Sequence, residues 1–548
     1  NDNMKRYGFG GKVYPVNPRY ETVWGTKCYP NVSSLPEKPD HLVMIVPAKP
    51  SVDILKEAAK AGARSATLFA GGFGEGGGGA TVYTAAEMKK IIADTGMAVS
   101  GPNCMGNLAG PFGFSTIPDD RIAAAKAALA TPIPAHERAR ILDAVADALG
   151  QRAEEFAQTI CGEAAKPIRT ARIEVARAVE TFRFAAVEAR SLTGEVVPMD
   201  AHPAGTGKFG FTLRVPVGVI GAISPFNFPL NLVAHKLAPA IAADCPVVLK
   251  PASQTPLTAI LLAETIHAAG LPPARLSVVT GGGGTVGNAI VDHDDIALIT
   301  FTGSPEVGWG IKARAPKKRV GLELGNNAPV IVEPDADLAL AASKIVAGGF
   351  AYSGQTCISV QRVYAHESVA AALTAEVTRA VEALVVGDPW DDATDVTALI
   401  NAGERDRIAG WIEEATAAGA RAATGGRVDN GILVPTILTD VRDDMKVCSQ
   451  EVFGPVVGIQ TYSDLDDAIR RANDSRYGLQ ASIFTNDVRV AFRAAHSLDF
   501  GGVLVNEMPT FRTDQMPYGG VRDSGNTKEG PHWSVREMTE ERMVVIQL

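Results

Sequence analysis

Cys357 lies in GGFAYSGQTCISVQRV (348–363), a run of small and polar residues between apolar ones. A thiolate attacks carbonyl carbons well, but free cysteine is more often a small buried hydrophobe, so the residue alone leaves both readings open. Three further motifs supply polar company. In ISPFNFPL (223–230), Asn227 follows an apolar run and is bracketed by Phe226 and Phe228; it is either a turn residue or a functional amide. In LELGNNAP (322–329), Glu323 stands between leucines just before Gly325. A carboxylate in so apolar a setting must be paired, reached by solvent or raised in pKa, and the last is what a general base needs. In QEVFGPV (450–456), Glu451 and Phe453 precede a Gly-Pro turn. The four motifs form one consistent polar set.

The elements that must hold this set are those of a parallel α/β sheet. From about residue 213 the chain runs VGVIGAISP, a helix near 230–242, CPVVLKP, the helix LTAILLAETIHAAG, RLSVVTG and DIALITFTG, strands alternating with helices. Their carboxyl ends carry polar, Gly and Pro residues, and open α/β sheets bind ligands at those ends. Upstream, RIAAAKAALATP and AHERARILDAVADALGQRAEEFAQTI (from residue 121) have helical periodicity. Residues 1–112 read as further βα repeats, with KVYPVN, HLVMIVP, SATLFA and MAVSGPN as strands and SVDILKEAAKAGA as a helix. AGGFGEGGGGA (70–80) reads as a mobile loop, and AGPFGFSTIPDDR (109–121) as a domain boundary.

With 548 residues, two to four domains are expected. Hydrophobic residues at 46% and charged ones at 21% exclude wholesale disorder. A net charge of −9 with no basic stripe beyond KKR (317–319) argues against nucleic acid as a partner. The six cysteines, at 28, 104, 161, 245, 357 and 448, show neither C-x-x-C pairing nor a histidine at metal-ligand spacing, so no metal is expected. No signal peptide opens the chain and no apolar run reaches bilayer length, so a soluble, cytoplasmic protein is expected and no membrane partner.

PFNFPL, KPASQTPL, FTGSPEVG, LELGNNAP, GQTC and EVFGPV occur in the order and approximate spacing of the aldehyde dehydrogenase superfamily. The similarity runs from about residue 121 to 548, and PTFRTDQMPYGGVRDSG (509–525) looks most like the lactaldehyde, phosphonoacetaldehyde and non-phosphorylating glyceraldehyde-phosphate branch. The resemblance implies that Cys357 attacks an aldehyde to give a thiohemiacetal and then a thioester. Asn227 and the Cys357 backbone N–H would hold the oxyanion, and Glu323 would activate the hydrolytic water. It implies NAD or NADP as cofactor. Lys250 would bind the adenosine ribose, Gly303 and Ser304 would open a helix near the pyrophosphate, and Glu451 and Phe453 would hold the nicotinamide ribose and ring. NAD-preferring members often carry Glu where this chain has Ser253, so NADP should be tolerated, and a preference for it is open. GGGTVG (282–287) formally matches a dinucleotide fingerprint with Glu306 beyond it, but the resemblance makes it an incidental glycine loop. Phe226, Phe228, Arg512 and Tyr518 are the expected substrate-pocket residues. Arg512 would either pair with an anionic group on the aldehyde or salt-bridge Asp514 or another local carboxylate.

The N-terminal segment, through GPNCMGNL (101–108), is similar to the CoA-binding domain of NDP-forming acyl-CoA synthetases and of the succinyl-CoA synthetase α subunit. Asn17, Pro18, Arg19, Val46 and Pro47 would face CoA. The family's first strand and nucleotide loop are expected to lie before the first residue, and its phosphohistidine and ATP-grasp partners are missing, so synthetase activity is not expected.

The expected fold class is therefore α/β. A Rossmann-like CoA-binding domain (1–112) and a linker (113–120) precede an NAD(P)-binding domain (121–324 with 516–540), a catalytic domain (325–515) and an oligomerisation strand (541–548). That last strand, ERMVVIQL, is expected to lie on a partner's sheet in a homodimer or homotetramer. The expected activity is hydrolytic oxidation of an aldehyde, with a CoA-acylating dehydrogenase or a non-catalytic CoA-binding regulator as alternatives. The CoA-binding domain would serve as a sensor or tether, as a scaffold, or as part of an acylating cycle.

Overall fold

The computed structural model describes residues 12–23, 25–46, 48–68, 82–100 and 118–548. The chain divides into two compact units, residues 1–109 and 110–548. In the first, strands His41–Met44, Ser65–Leu68 and Ala98–Ser100 lie side by side in parallel, in chain order. Helix Ala48–Lys60 packs Val52, Leu55 and Ala58 into their shared core with Leu42, Met44, Ala66 and Leu68. The strand expected in KVYPVN reduces to a single bridge, Val16 to Tyr29. Pro15 and Pro18 flank it, and neither has an N–H to give a ladder. The glycine loop 70–80, GPNCMGNL and most of the linker lie outside the described residues.

In the second unit, AHERARILDAVADALGQRAEEFAQTI forms two helices, Ala135–Gln151 and Ala153–Ala164, broken at Arg152. The long helix Ile168–Ser191 packs beside them, burying Val175, Ala178, Phe182 and Ala185. A five-stranded parallel sheet follows. It begins in its own middle with Val219–Ile223, builds outward through Val247–Lys250 and Leu276–Val278, then crosses to the other side for Ile296–Thr302 and Arg319–Glu323. Val219–Ile223 and Val247–Lys250 are buried along their whole length, as strands covered on both faces must be.

Seven strands make the second large sheet, with Ala328–Val332 and Val360–His366 adjacent and parallel near its centre; only Arg421–Thr424, at one edge, runs antiparallel. A third, antiparallel sheet joins Val196–Val197, Lys208–Pro216 and Thr539–Gln547. Its edge strand Thr539–Gln547 is nine residues long, with Met543, Val545 and Ile546 exposed. Among the described residues no helix is long and apolar enough to cross a membrane.

Candidate active site

The order of the five-stranded sheet reverses between Val219–Ile223 and Ile296–Thr302, and crevices outside the carboxyl ends at such a point are where these sheets take ligands. Register aligns Ile223 with both Lys250 and Phe301, and Thr302 with Glu323. Asn227, Lys250, Ser253, Gly303, Ser304 and Glu323 therefore all leave the sheet on one side.

The nucleophile candidate comes from the other large sheet. After helix Leu338–Phe350 the chain turns through Tyr352, Ser353 and Gly354, all at positive φ, before Cys357 and strand Val360–His366. Left-handed backbone at a tyrosine and a serine costs about 1–3 kcal/mol each. Side-chain bonds hold it: Tyr352 donates to the Ala164 carbonyl at 2.9 Å, and Ser353 Oγ donates to the Thr397 carbonyl at 2.8 Å and accepts the Thr397 N–H at 2.9 Å. A side chain at Gly354 would collide with the Gly454 carbonyl, so only glycine fits there.

The Asn227 amide donates to the Gln355 carbonyl at 3.0 Å, which ties it to the cysteine loop two residues ahead of Cys357. Gln355 Oε1 in turn accepts the Ile400 N–H at 2.9 Å. Cys357 keeps some accessible surface but lies deep enough that burial pushes its thiol up to about 12, with Glu451 and Glu323 acting in the same sense.

Glu323 is 3% exposed and neither carboxylate oxygen has a hydrogen-bond partner. An unpaired buried carboxylate costs several kcal/mol, so burial favours the protonated form of the group. Burial, then the charge of Glu529, hold it well above the ordinary range. Glu529 itself is opposed by burial but drawn down to about 2 by Lys236 at 3.4 Å and Arg512 at 3.1 Å. Two neighbouring carboxyls are thus pushed apart, Glu529 toward its ionised form and Glu323 toward its neutral form, as acid–base sites require. Gly519 lies against the latter: a Cβ there would come within 2.6 Å of Glu323 Oε1.

Of the two readings of Arg512, the geometry favours the local ion pair, and its partner is Glu529 in place of Asp514. Asp514 is taken by Arg177 and His235, each at 2.9 Å, and by the Asn231 amide at 3.1 Å. Arg512 is 5% exposed and stacks on Tyr518, 3.8 Å from the ring centroid.

Residues that could hold a dinucleotide line the same edge. Lys250 Nζ donates to the Pro251 carbonyl at 3.0 Å, one bond that leaves it donors to spare, and burial pulls its pKa down. Ser253 is exposed and donates to the Gly281 carbonyl at 3.1 Å. Ser304 caps helix Pro305–Arg314 without spending its hydroxyl on it. A Cβ on Gly303 would meet the Phe301 ring at 2.6 Å. Glu451 accepts the Asn326 N–H at 2.9 Å and is raised to about 8 by burial, while Phe453, at φ 54°, meets Phe226 edge-on. Bare glycine backbone, unspent donors and a carboxylate beside an aromatic edge suit a phosphate- and ribose-bearing ligand. GGGTVG forms a single π-helical turn, Gly283–Gly287, and Glu306 is paired with Arg476 at 3.1 Å.

Phe228 belongs to an arrangement the sequence did not disclose. The Lys166 ammonium, fully buried, sits 3.6 Å from the Phe228 centroid and 4.4 Å from that of Tyr352, and 2.5 Å from Glu174. Glu174 also accepts the N–H groups of Leu230 and Asn231 at 2.9 and 3.0 Å. One buried ion pair therefore clamps the Asn227 loop to the Cys357 loop. The available signal was two charges among apolar residues, Glu174 on a helical face and Lys166 in the connector just before that helix.

In the first unit, Asn17 accepts the Arg19 N–H at 2.9 Å in a turn, Pro18 and Arg19 are exposed, and Val46 is half-buried beyond strand His41–Met44. Pro47 lies outside the described residues. No group of three or more His, Cys, Asp or Glu among the described residues could hold a metal ion.

Residues 118–544 match the family model described as the aldehyde dehydrogenase family, and residues 2–109 match one described as a CoA binding domain. The chain is 48% identical over 427 residues to 3-sulfolactaldehyde dehydrogenase of Priestia aryabhattai, covering 78% of this chain and 90% of that one. It is 41% identical over 414 residues to lactaldehyde dehydrogenase of Methanococcus vannielii, covering 75% and 88%. The crystal structure of glyceraldehyde-3-phosphate dehydrogenase GapN from Methanocaldococcus jannaschii, complexed with NADP, superposes with a TM-score of 0.76 at 38% identity, covering 78% of this chain and 94% of that one.

Proposed function

The chain belongs to the aldehyde dehydrogenase family, and from that premise we propose that it oxidises a short aldehyde bearing a 2-hydroxyl or an anionic group to the free acid, with NAD or NADP. The observation that carries this is Cys357 in a loop bonded to Asn227, electrostatically coupled to a buried, unpartnered Glu323.

Cys357 Sγ forms a bond to the aldehyde carbon as its proton leaves. The Asn227 amide and the Cys357 backbone N–H receive the charge that moves onto oxygen, and only donors fixed beforehand lower that barrier. NAD or NADP, when bound, would supply the hydride acceptor needed to oxidise the Cys357 thiohemiacetal to a thioester. Glu323 then takes a proton from water, whose oxygen attacks the thioester carbon and releases the acid and the thiol. Lys250, Ser253, Gly303 and Ser304 would hold the adenosine and phosphate end of the cofactor; Glu451 and Phe453 would hold the nicotinamide end. With a hydroxyl at Ser253 where a carboxylate would repel a 2′-phosphate, NADP is accepted.

We assign residues 121–324 with 516–540 to cofactor binding, 325–515 to catalysis and 541–548 to assembly. The bridge Glu323 to Gly525 supports returning the late segment to the cofactor-binding domain. A homodimer or homotetramer follows from the exposed edge strand Thr539–Gln547, whose free backbone groups and apolar side chains suit a second copy. Light scattering at micromolar concentration is expected to give at least twice the 57.4 kDa chain mass, and a monomer overturns this use of the strand. The five described cysteines are free thiols, which suits the reducing cytoplasm.

A second reading, transfer of the acyl group to CoA, is favoured by the CoA binding domain match at residues 2–109. Products separate the two. With NADP⁺ or NAD⁺ and 3-sulfolactaldehyde, lactaldehyde or glyceraldehyde 3-phosphate, mass spectrometry is expected to find free acid whether or not CoA is present. Acyl-CoA in the CoA-containing sample would replace hydrolysis with acylation and bring the first domain, with Asn17, Pro18, Arg19, Val46 and Pro47, into the catalytic cycle.

A further inference from the structure

Tyr518 has more chemistry than a pocket wall needs. Its hydroxyl lies 3.0 Å from Cys357 Sγ, and its side chain is 3% exposed. Its backbone is pinned on both sides, with its N–H on the Glu529 carbonyl at 3.0 Å and its carbonyl receiving the Glu529 N–H at 2.6 Å. Arg512, held by Glu529, places its guanidinium carbon 3.8 Å from the ring centroid. An aromatic that only lined a tunnel would place its face or edge on the substrate and would need no hydroxyl on the thiol.

We propose that Tyr518 is a catalytic hydrogen-bond donor to the Cys357 thiolate, strengthened by the Arg512 guanidinium stacked on its ring. This rests on the reading of Cys357 as nucleophile. A cation over the ring face draws electron density from the phenol and makes its O–H a better donor. Donation to an ionised sulfur is the stronger, charge-assisted kind. When the thiol ionises, its proton leaves sulfur for solvent. Tyr518 keeps its own proton and directs it at a sulfur lone pair until the C–S bond forms, when a lone pair becomes the bond and the hydroxyl is released beside the new tetrahedral carbon.

The alternatives for the hydroxyl are weaker. Burial, then the adjoining Cys357, hold the phenol well above its ordinary pKa, which keeps it an O–H and unsuits it as a base. The ionisable groups facing Cys357 are Glu451, Glu323 and Arg512, and the two carboxyls, when ionised, oppose its ionisation. Behind Arg512 stand Glu529, His235 and Lys236, with the Glu529 carboxylate offsetting the cations. Tyr518 is thus the direct hydrogen-bonding partner on the side of the thiolate.

The pH dependence of Cys357 alkylation by iodoacetamide, read by peptide mass spectrometry on the full chain without substrate, tests this. In Tyr518→Phe the profile is expected to move about one pH unit upward, so that alkylation at pH 7.5 falls about tenfold while the high-pH plateau is kept. Arg512→Lys, which keeps a cation for Glu529 but loses the flat stack, is expected to move it the same way by about threefold. Profiles that superimpose on wild type in both variants overturn the proposal. The nucleophile reading fails separately, through retained turnover in Cys357→Ala, which the alkylation profile does not touch.

Discussion

Cys357→Ala is expected to lower aldehyde-dependent reduction of NADP⁺ by about 10⁴-fold or more, because a covalent step with no nucleophile leaves only what binding and the oxyanion donors supply. Cofactor binding, followed by fluorescence quenching, should be unchanged, since the residues assigned to it lie on other segments. The substitution removes one sulfur from a half-buried site and leaves the Tyr352, Ser353 and Gln355 anchors in place, so the loop keeps its shape. Turnover within tenfold of wild type would sink the assignment and revive a regulatory role for the chain.

Glu323→Gln should do something different, stalling the reaction after its first half. Reduced cofactor is expected to appear as a burst of one equivalent per active site, followed by a steady rate about 10²–10⁴-fold below wild type, with the intact protein heavier by one acyl group. The sign of the pH dependence follows from the raised pKa. Glu323 is neutral through the ordinary carboxylate range and becomes a base only as pH climbs through its elevated value, so wild-type hydrolysis rises with pH across that window. Glutamine removes this limb. Its isosteric amide is at little disadvantage in a site where neither oxygen is hydrogen-bonded, so stability should change little. CoA added to the stalled acyl-enzyme gives a further result: discharge as acyl-CoA would show that the thioester is open to a thiol once water is disabled. A variant that neither bursts nor accumulates adduct would mean that Glu323 acts before hydride transfer.

Several features were legible from local pattern. Val219–Ile223 and Val247–Lys250 were visible as short apolar runs bounded by Gly and Pro, and helix Asn231–Ala242 emerged where the helix near 230–242 was expected. Glu323 was suspected from its leucine neighbours, and it is buried without a partner. The reading was weaker where a residue's meaning depends on a distant group. Arg512 looked equally suited to a substrate anion or to a salt bridge with Asp514 or another local carboxylate, because chain proximity was the only clue to which; the partner, Glu529, is seventeen residues on, beside the bridge to Tyr518. Lys166 and Glu174 passed unnoticed, although their charges join two loops.

By itself, then, the sequence determined the parallel α/β class, the list of reactive groups and the strand ends from which Asn227, Lys250 and Glu323 depart, since these rest on residue type and on periodicity along the chain. Only the tertiary structure decided which charges pair, which carboxyl is pushed toward its protonated form and what touches the thiol. Cys357 and Tyr518 are 161 residues apart, and Arg512 and His235 are 277 apart. Ionisation in a buried site depends on the charges within a few ångströms, and those neighbours come from segments that only folding brings together.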